Sequence, residues 1–325
     1  MCIFEIITTA GIVCVIVIFQ PIIADRQWSV FFDYYNGLYI QKILLNSFFV
    51  TSSLYTPPYI PHNIVIDMTR KGVLILGHGS SYRYNERIME LQQQRLKEMG
   101  FQDVYIGYNK MSEPTIEESV SKMVKEGIDE IIAIPFFVAS GLHMEDEMPP
   151  KLGLPKNVKD GKVTIDGKEI MMHFGEPFGK DPLLTKILKE KICDLRASDN
   201  AASIVIGHGS RLPYNKEVII ENAKRLTEMG VPRVYYAFNE LNEPGIEEIV
   251  DKAIAEGADE IIALPLFISE GDHLKNDIPP KIHLMDGIRE GTFRHNGKMI
   301  DVKYAEPIGK DPRLTEVFAA KIRSY

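Results

Sequence analysis

Four landmarks in this chain occur twice, always 130 positions apart. Gly77-His78-Gly79-Ser80 returns as Gly207-His208-Gly209-Ser210, and Glu113-Pro114 returns as Glu243-Pro244. Gly141-Leu142-His143 returns as Gly271-Asp272-His273, and Gly179-Lys180-Asp181-Pro182 as Gly309-Lys310-Asp311-Pro312. A period this long exceeds any solenoid repeat and matches the size of a whole domain, so the chain carries a duplicated domain. Each copy keeps two histidines 65 positions apart (78 and 143, 208 and 273), which makes histidine pairs the first candidates for chemistry.

The 325 residues accommodate two copies, over 68–195 and 201–325, preceded by an unrelated segment over 1–67. A formal charge of −8 leaves no basic stripe to neutralise phosphates, which argues against a nucleic-acid partner. The three cysteines, Cys2, Cys14 and Cys193, form no CxxC pair, so a zinc ribbon, an iron–sulfur cluster or a disulfide framework is not expected. Their scarcity in the repeat fits a reducing, cytoplasmic setting. Upstream, residues 11–19 form an apolar run with no basic residue before it. It reads either as an anchor, the one route to a membrane partner, or as part of an extension ahead of a start at Met68; the second reading is the expectation.

Within copy one, 72–77 is a continuous apolar run ending in glycine, the pattern of a buried parallel strand. The sequence predicts a helix from 84 to 99, a strand over 104–108, a helix opened by Pro114 and ending near Gly127, and a strand over 130–135. A polar stretch from 140 to 150 precedes a strand over 170–174 and a helix capped by Asp181 with Pro182 at its first position. Copy two repeats the order with strands 203–207, 233–238, 259–265 and 300–304 and helices 214–229, 244–256 and 311–323, after a linker over 194–202. The expected fold is α/β: two tandem domains related by a pseudo-twofold axis, each a parallel sheet with helices on both faces. Sites in such sheets lie at the carboxyl ends of the strands. His78 and His208 follow the first strand and His143 and His273 follow the third, so both histidines of a copy fall on one sheet edge.

Imidazole is a good ligand for divalent first-row metals and a proton carrier, and two loops per copy each supply one. A phosphate cradle is the weaker reading, because GxxxxGK[ST] and GxGxxG are both absent. Glu113 and Glu243 are read either as helix N-terminal charges or as carboxylates facing the histidines. Glu240 is a further candidate, but its counterpart is Lys110, so a role there is not shared. The stretch 145–147 and its counterpart 275–277 read as a solvated face. Asn85 and Asn215 are placed to orient the histidine loops, and the Gly-Lys-Asp-Pro segments read as turn plus helix cap.

Together, a strand ending in HGS, a downstream Asn, an E-P ahead of the second helix, a Pro after the third strand and a G-x-H some 65 positions on resemble the class II chelatases, in particular the CbiX-type sirohydrochlorin cobaltochelatases. The resemblance covers 71–325. It implies a chelatase-like fold and ATP-independent insertion of Co²⁺, or of Ni²⁺ or Fe²⁺, into sirohydrochlorin, with the metal as substrate and no permanent cofactor. It also implies His78, His143, His208 and His273 as metal ligands; these or Glu113 and Glu243 are the candidate bases, and Ser80, Asn85, Ser210, Arg211 and Asn215 the candidates on the substrate side. The family arginine after HGS is present as Arg211 but replaced by Ser81 in copy one. The alternative is a tetrapyrrole or metal carrier that uses the same histidines without insertion.

Overall fold

A computed structural model describes residues 69–79, 83–141, 143–271 and 273–325, residue 143 by its backbone alone. Of the upstream segment it describes only the backbone of four strands, β1 (Ile3–Thr9), β2 (Ile12–Ile18), β3 (Ser29–Asp33) and β4 (Ile43–Leu44), paired antiparallel in that order. The expectation about a start at Met68 lies outside the described residues, and of the apolar run over 11–19 only the backbone of β2 is described. Among the described residues no helix is long and apolar enough to cross a membrane.

Copy one runs β5 (Lys71–Gly77), α1 (Tyr84–Glu98), β6 (Val104–Tyr108), α2 (Ile116–Lys125), β7 (Glu130–Pro135), α3 (Met148–Lys151), β8 (Asp160–Ile165), β9 (Lys168–Phe174) and α4 (Pro182–Asp194). Copy two repeats it as β10 (Ala201–Gly207), α5 (Pro213–Glu228), β11 (Val234–Phe238), α6 (Ile246–Ala255), β12 (Glu260–Pro265), α7 (Ile278–Lys281), β13 (Glu290–His295), β14 (Lys298–Tyr304) and α8 (Leu314–Arg323). The sheets have the order β6-β5-β7-β9-β8 and β11-β10-β12-β14-β13. Four strands of each are parallel, as their apolar runs require. The fifth, β8 or β13, is an antiparallel edge strand that the sequence reading missed. Its short hairpin turns on Asp166-Gly167 and Asn296-Gly297, all four residues with positive φ, as two-residue hairpin turns demand.

Three further expectations need correction. Pro114 does not open α2; it lies one residue ahead of the N-cap Thr115, whose hydroxyl accepts from the Glu118 N–H while the Glu118 carboxylate accepts from the Thr115 N–H. The last helix of copy two is not continuous from 311: a 3₁₀ turn, Ile308–Lys310, precedes Asp311, and the α-helix starts at Leu314. Asp181 does cap α4, accepting from the Leu183 N–H at 2.9 Å, but Gly179 and Gly309 are more than turns.

Those glycines mark an exchange between the copies. Helix α4 packs on α5 and α8 on α1 and β7, so each copy's last helix lies against the other copy. Buried Gln92 in α1 donates to the Gly309 carbonyl at 2.9 Å and accepts from the Thr315 hydroxyl at 2.6 Å. Buried Asn222 in α5 donates to the Gly179 carbonyl at 2.8 Å and accepts from the Thr185 hydroxyl at 2.8 Å. Arg95 and Arg225 reach the Lys310 and Lys180 carbonyls in the same reciprocal way. Every contact recurs with the partners exchanged at the 130-residue offset, which is the signature of a twofold interface. One continuous apolar core runs through this layer, from Val73, Ile75 and Met89 through Leu184 and Leu188 to Ile219, Leu264 and Phe318. Phe318 of α8 packs on Phe136 and Phe178 of copy one with ring centroids 5.3 and 5.6 Å away. Separate apolar clusters back the outer faces, under α2 and α3 in copy one and under α6 and α7 in copy two.

Replacing Asn222 by Ala strands the Gly179 carbonyl in this layer. The urea midpoint is expected to fall by an amount equivalent to about 1–3 kcal/mol. The layer also holds a charge. Burial opposes ionisation of Asp311, but Arg313 and Lys191, the latter 3.4 Å away on α4, hold its carboxyl below the usual carboxylate range. A carboxyl depressed in the folded state contributes stability above its ordinary pKa of about 4 and loses it as pH falls further. The Tm gap between wild type and Asp311→Asn is therefore expected to be widest near neutral pH and to shrink on acidification below about pH 4, read by calorimetry.

Candidate metal centre

Each Gly-His-Gly loop must turn sharply off its strand, and its second glycine is irreplaceable on two counts. Gly79 and Gly209 have φ of 85° and 93°, and a β-carbon on either would lie 1.7 Å from the carbonyl oxygen of Lys110 or Glu240. The loop after the second strand is thus clamped against the histidine loop. The Glu240 N–H donates to the His208 carbonyl at 3.0 Å, and the Lys110 N–H to the His78 carbonyl at 2.9 Å. Asn215 accepts from the Gly209 N–H at 3.2 Å and so orients its own loop. Asn85 instead accepts from the Ser269 hydroxyl of copy two at 2.6 Å.

In copy two this brings His208, Glu240 and His273 together, with one ligand atom from each lying within 4.8 Å of the others. The imidazole rings meet edge to face with centroids 4.5 Å apart, and His208 Nε2 is 3.3 Å from Glu240 Oε1. His208 Nδ1 lies 3.1 Å from the Gly209 carbonyl, an interaction that fixes Nε2 as the free lone pair. His273 Nδ1 lies 2.5 Å from Asp277 Oδ2, one helical turn on, so it carries the proton and presents Nε2. A carboxylate or carbonyl behind each imidazole is the usual arrangement of metal-ligating histidines. Two imidazoles and one carboxylate leave open positions on an ion. Lys281 braces the cluster from behind, donating to Asn239 O and Oδ1 at 2.7 and 2.9 Å.

Copy one is built differently. Lys110 occupies the position of Glu240, and its ammonium lies 2.9 Å from Glu147, the counterpart of Asp277. Asn109 also donates to Glu147 at 2.9 Å. The carboxylate of this site is already matched by a fixed cation, and that cation repels a second one. His78 is half-buried beside this pair; the side chain of His143 and residues Ser80 and Ser81 lie outside the described residues.

The expected bases fare unevenly. Glu113 and Glu243 are both exposed, and neither belongs to the cluster; Glu243 lines a cavity of about 610 Å³ together with Glu240, Leu241, Asn242 and Lys216. Ser210 supports its loop, its N–H donating to Asn242 at 2.8 Å and its hydroxyl accepting from the Leu212 N–H at 3.1 Å, while Arg211 is exposed. Two residues of the segments read as a solvated face instead make contacts between the copies: Glu145 accepts from the Tyr214 hydroxyl at 3.0 Å, and Lys275 sits over the Tyr84 ring at 5.0 Å. Both contacts cross between the copies at the same relative positions, so the two histidine edges border one seam. The sequence offered Glu240 as a further candidate whose role is not shared with Lys110, and the structure brings it to the two histidines; Asp277, four residues after His273, was read only as part of a solvated face.

Strand order, strand-end histidines and a shared seam define a chelatase-like α/β protein. The CbiX family model matches residues 72–195 and again 202–325, and the chain belongs to that family. Each copy is the length of a whole relative: the sirohydrochlorin cobaltochelatase of Methanopyrus kandleri is 36% identical over 135 residues, which cover 38% of this chain and 94% of the relative. That of Methanococcoides burtonii is 33% identical over 125 residues, 38% of this chain and 95% of the relative. Among solved structures, SirB from Bacillus subtilis with Fe³⁺ superposes with a TM-score of 0.60 at 20% identity, covering 78% of this chain and 95% of SirB, which supports the fold.

Changing Lys110 to Glu removes the fixed cation and supplies a carboxylate where copy two has Glu240. Calorimetric titration with Co²⁺ is expected to show one ion per wild-type chain and two per Lys110→Glu chain.

Proposed function

We propose that this chain inserts a divalent metal ion into sirohydrochlorin, with the ion held by His208, Glu240 and His273. The observation that carries this reading is the cluster itself: three ligands, with a proton acceptor behind each imidazole and with the third ligand, Glu240, on the wall of a cavity in the second of two fused CbiX domains. The metal is a substrate here, so the site must release what it binds. Three protein ligands that approach an ion without enclosing it suit that demand better than a closed four-ligand cage.

Insertion exchanges two pyrrole protons for one M²⁺, so two acceptors are needed near the ion. Glu240 and Glu243 lie on the wall of the same cavity. Glu240 sits against the ion and takes the first proton as the metal–nitrogen bonds form; Glu243, exposed, passes the second to water. Lys216, also on this wall, and the exposed Arg211 are cations for the carboxylates on the ring's rim. Copy one supplies the opposite wall of the seam through Tyr84 and Glu145. Its lysine-filled site leaves a single point of ion delivery, and the choice among Co²⁺, Ni²⁺ and Fe²⁺ follows from geometry and supply.

An absorbance assay with metal-free sirohydrochlorin and each of the three ions tests this. Wild type is expected to convert the ring spectrum to that of the metallated product with at least one of them. His273→Ala and Glu240→Gln are expected to lower turnover by about 100-fold or more, and Lys110→Ala by far less. Stoichiometric binding of ring or metal without conversion would replace this proposal with a carrier.

A further inference from the structure

Directly after Glu240 and Lys110 the backbone does the same improbable thing in both copies. The Asn242 N–H donates to the Glu240 carbonyl, and the Ser112 N–H to the Lys110 carbonyl, both at 2.8 Å. Each closes a three-residue turn whose central residue, Leu241 or Met111, has a φ of 61° or 63°. A turn of this kind with a positive central φ is the rare, strained form of the γ-turn. Among the described non-glycine residues with positive φ, these two are the aliphatic ones; the others are Arg, Asn, Asp and His. A branched or bulky side chain in that region is an outlier, whereas glycine or asparagine would sit there at little cost.

Burial does not compensate the strain. Leu241 is 58% exposed and Met111 68% exposed. The turn is held in place by its surroundings: Gly209 and Gly79 press on its first carbonyl, and Asn242 is tied to the Ser210 N–H. The neighbouring position has diverged from carboxylate to ammonium between the copies, yet the apolar character of the next residue is kept. Leu241 shares the wall of the 610 Å³ cavity with Glu240. Strain that the scaffold over-determines, at an exposed apolar residue beside a ligand, is the pattern of a functional contact.

We infer that Leu241 and Met111 are apolar fingers that grip the face of the tetrapyrrole and set it over the ion at His208, Glu240 and His273. The inference rests on the proposed function and deepens it, by assigning the residues that recognise the ring as distinct from those that hold the metal. A tetrapyrrole with a carboxylate rim offers apolar surface only on its conjugated face, and an aliphatic side chain one residue from a metal ligand meets that face rather than the rim. Each finger comes from one copy; on this assignment both copies contribute to holding the ring and one to metal delivery.

The test uses Leu241→Gly, Met111→Gly and the double variant of the full chain. Three quantities are read: affinity for metal-free sirohydrochlorin by absorbance titration, affinity for Co²⁺ alone by calorimetry, and Tm. Each single substitution is expected to weaken ring binding about ten-fold and the double more, with Co²⁺ affinity unchanged and Tm equal or higher because glycine relieves the turn. Leu241→Met is expected to keep ring affinity near that of wild type. Ring affinity within about two-fold of wild type in the double variant, or a lowered Tm of the kind a lost packing residue produces, would overturn the assignment. Failure of the wild-type chain itself to bind or metallate sirohydrochlorin would instead sink the proposed function, and the fingers with it.

Discussion

Two buried side-chain amides hold the architecture in register. Gln92 and Asn222 each donate to a glycine carbonyl in the other copy and accept from a threonine on the helix that copy has contributed. A buried carbonyl without a donor is costly, so these contacts allow the two copies essentially one mutual placement. That placement brings Tyr84 to Lys275 and Tyr214 to Glu145. The seam on which both histidine edges open is therefore a by-product of the helix exchange. Moving α4 back onto its own sheet would break the continuous core.

Within that symmetric frame the electrostatics are not symmetric. One site places two imidazoles and a carboxylate around a position suited to a cation; the other places an ammonium there and matches it with Glu147. The difference needs no movement of the backbone, since Lys110 and Glu240 hang from clamped loops with the same hydrogen bonds. A single side chain sets the charge difference between the halves, while the scaffold, the seam and the strained apolar turns stay common to both.

Much of this was legible in the sequence. Apolar runs ending in glycine marked the parallel strands, and their strand-end histidines fell on one edge because the topology puts every such loop there. The edge hairpins were missed because β8 and β13 are polar and half-exposed; their Asp-Gly and Asn-Gly turns were the available signal. The exchange of α4 and α8 was not legible at all, because an amphipathic helix has the same pattern whichever sheet it covers. Glu240 was legible as a candidate whose role is not shared, because its counterpart is Lys110; that it lies against both histidines was not, since the loop that clamps it there is set by tertiary contact.

Fusion has a consequence for variation. In an assembly of identical chains every substitution appears twice, so a lysine in one site would also be a lysine in the other, and no ion site would remain. Joining the copies through a linker that runs from α4 into β10 frees each half to differ from its twin while the exchanged helices still hold them as partners. One half can then give up ion binding and keep only its share in holding the ring, a division of labour closed to a homodimer.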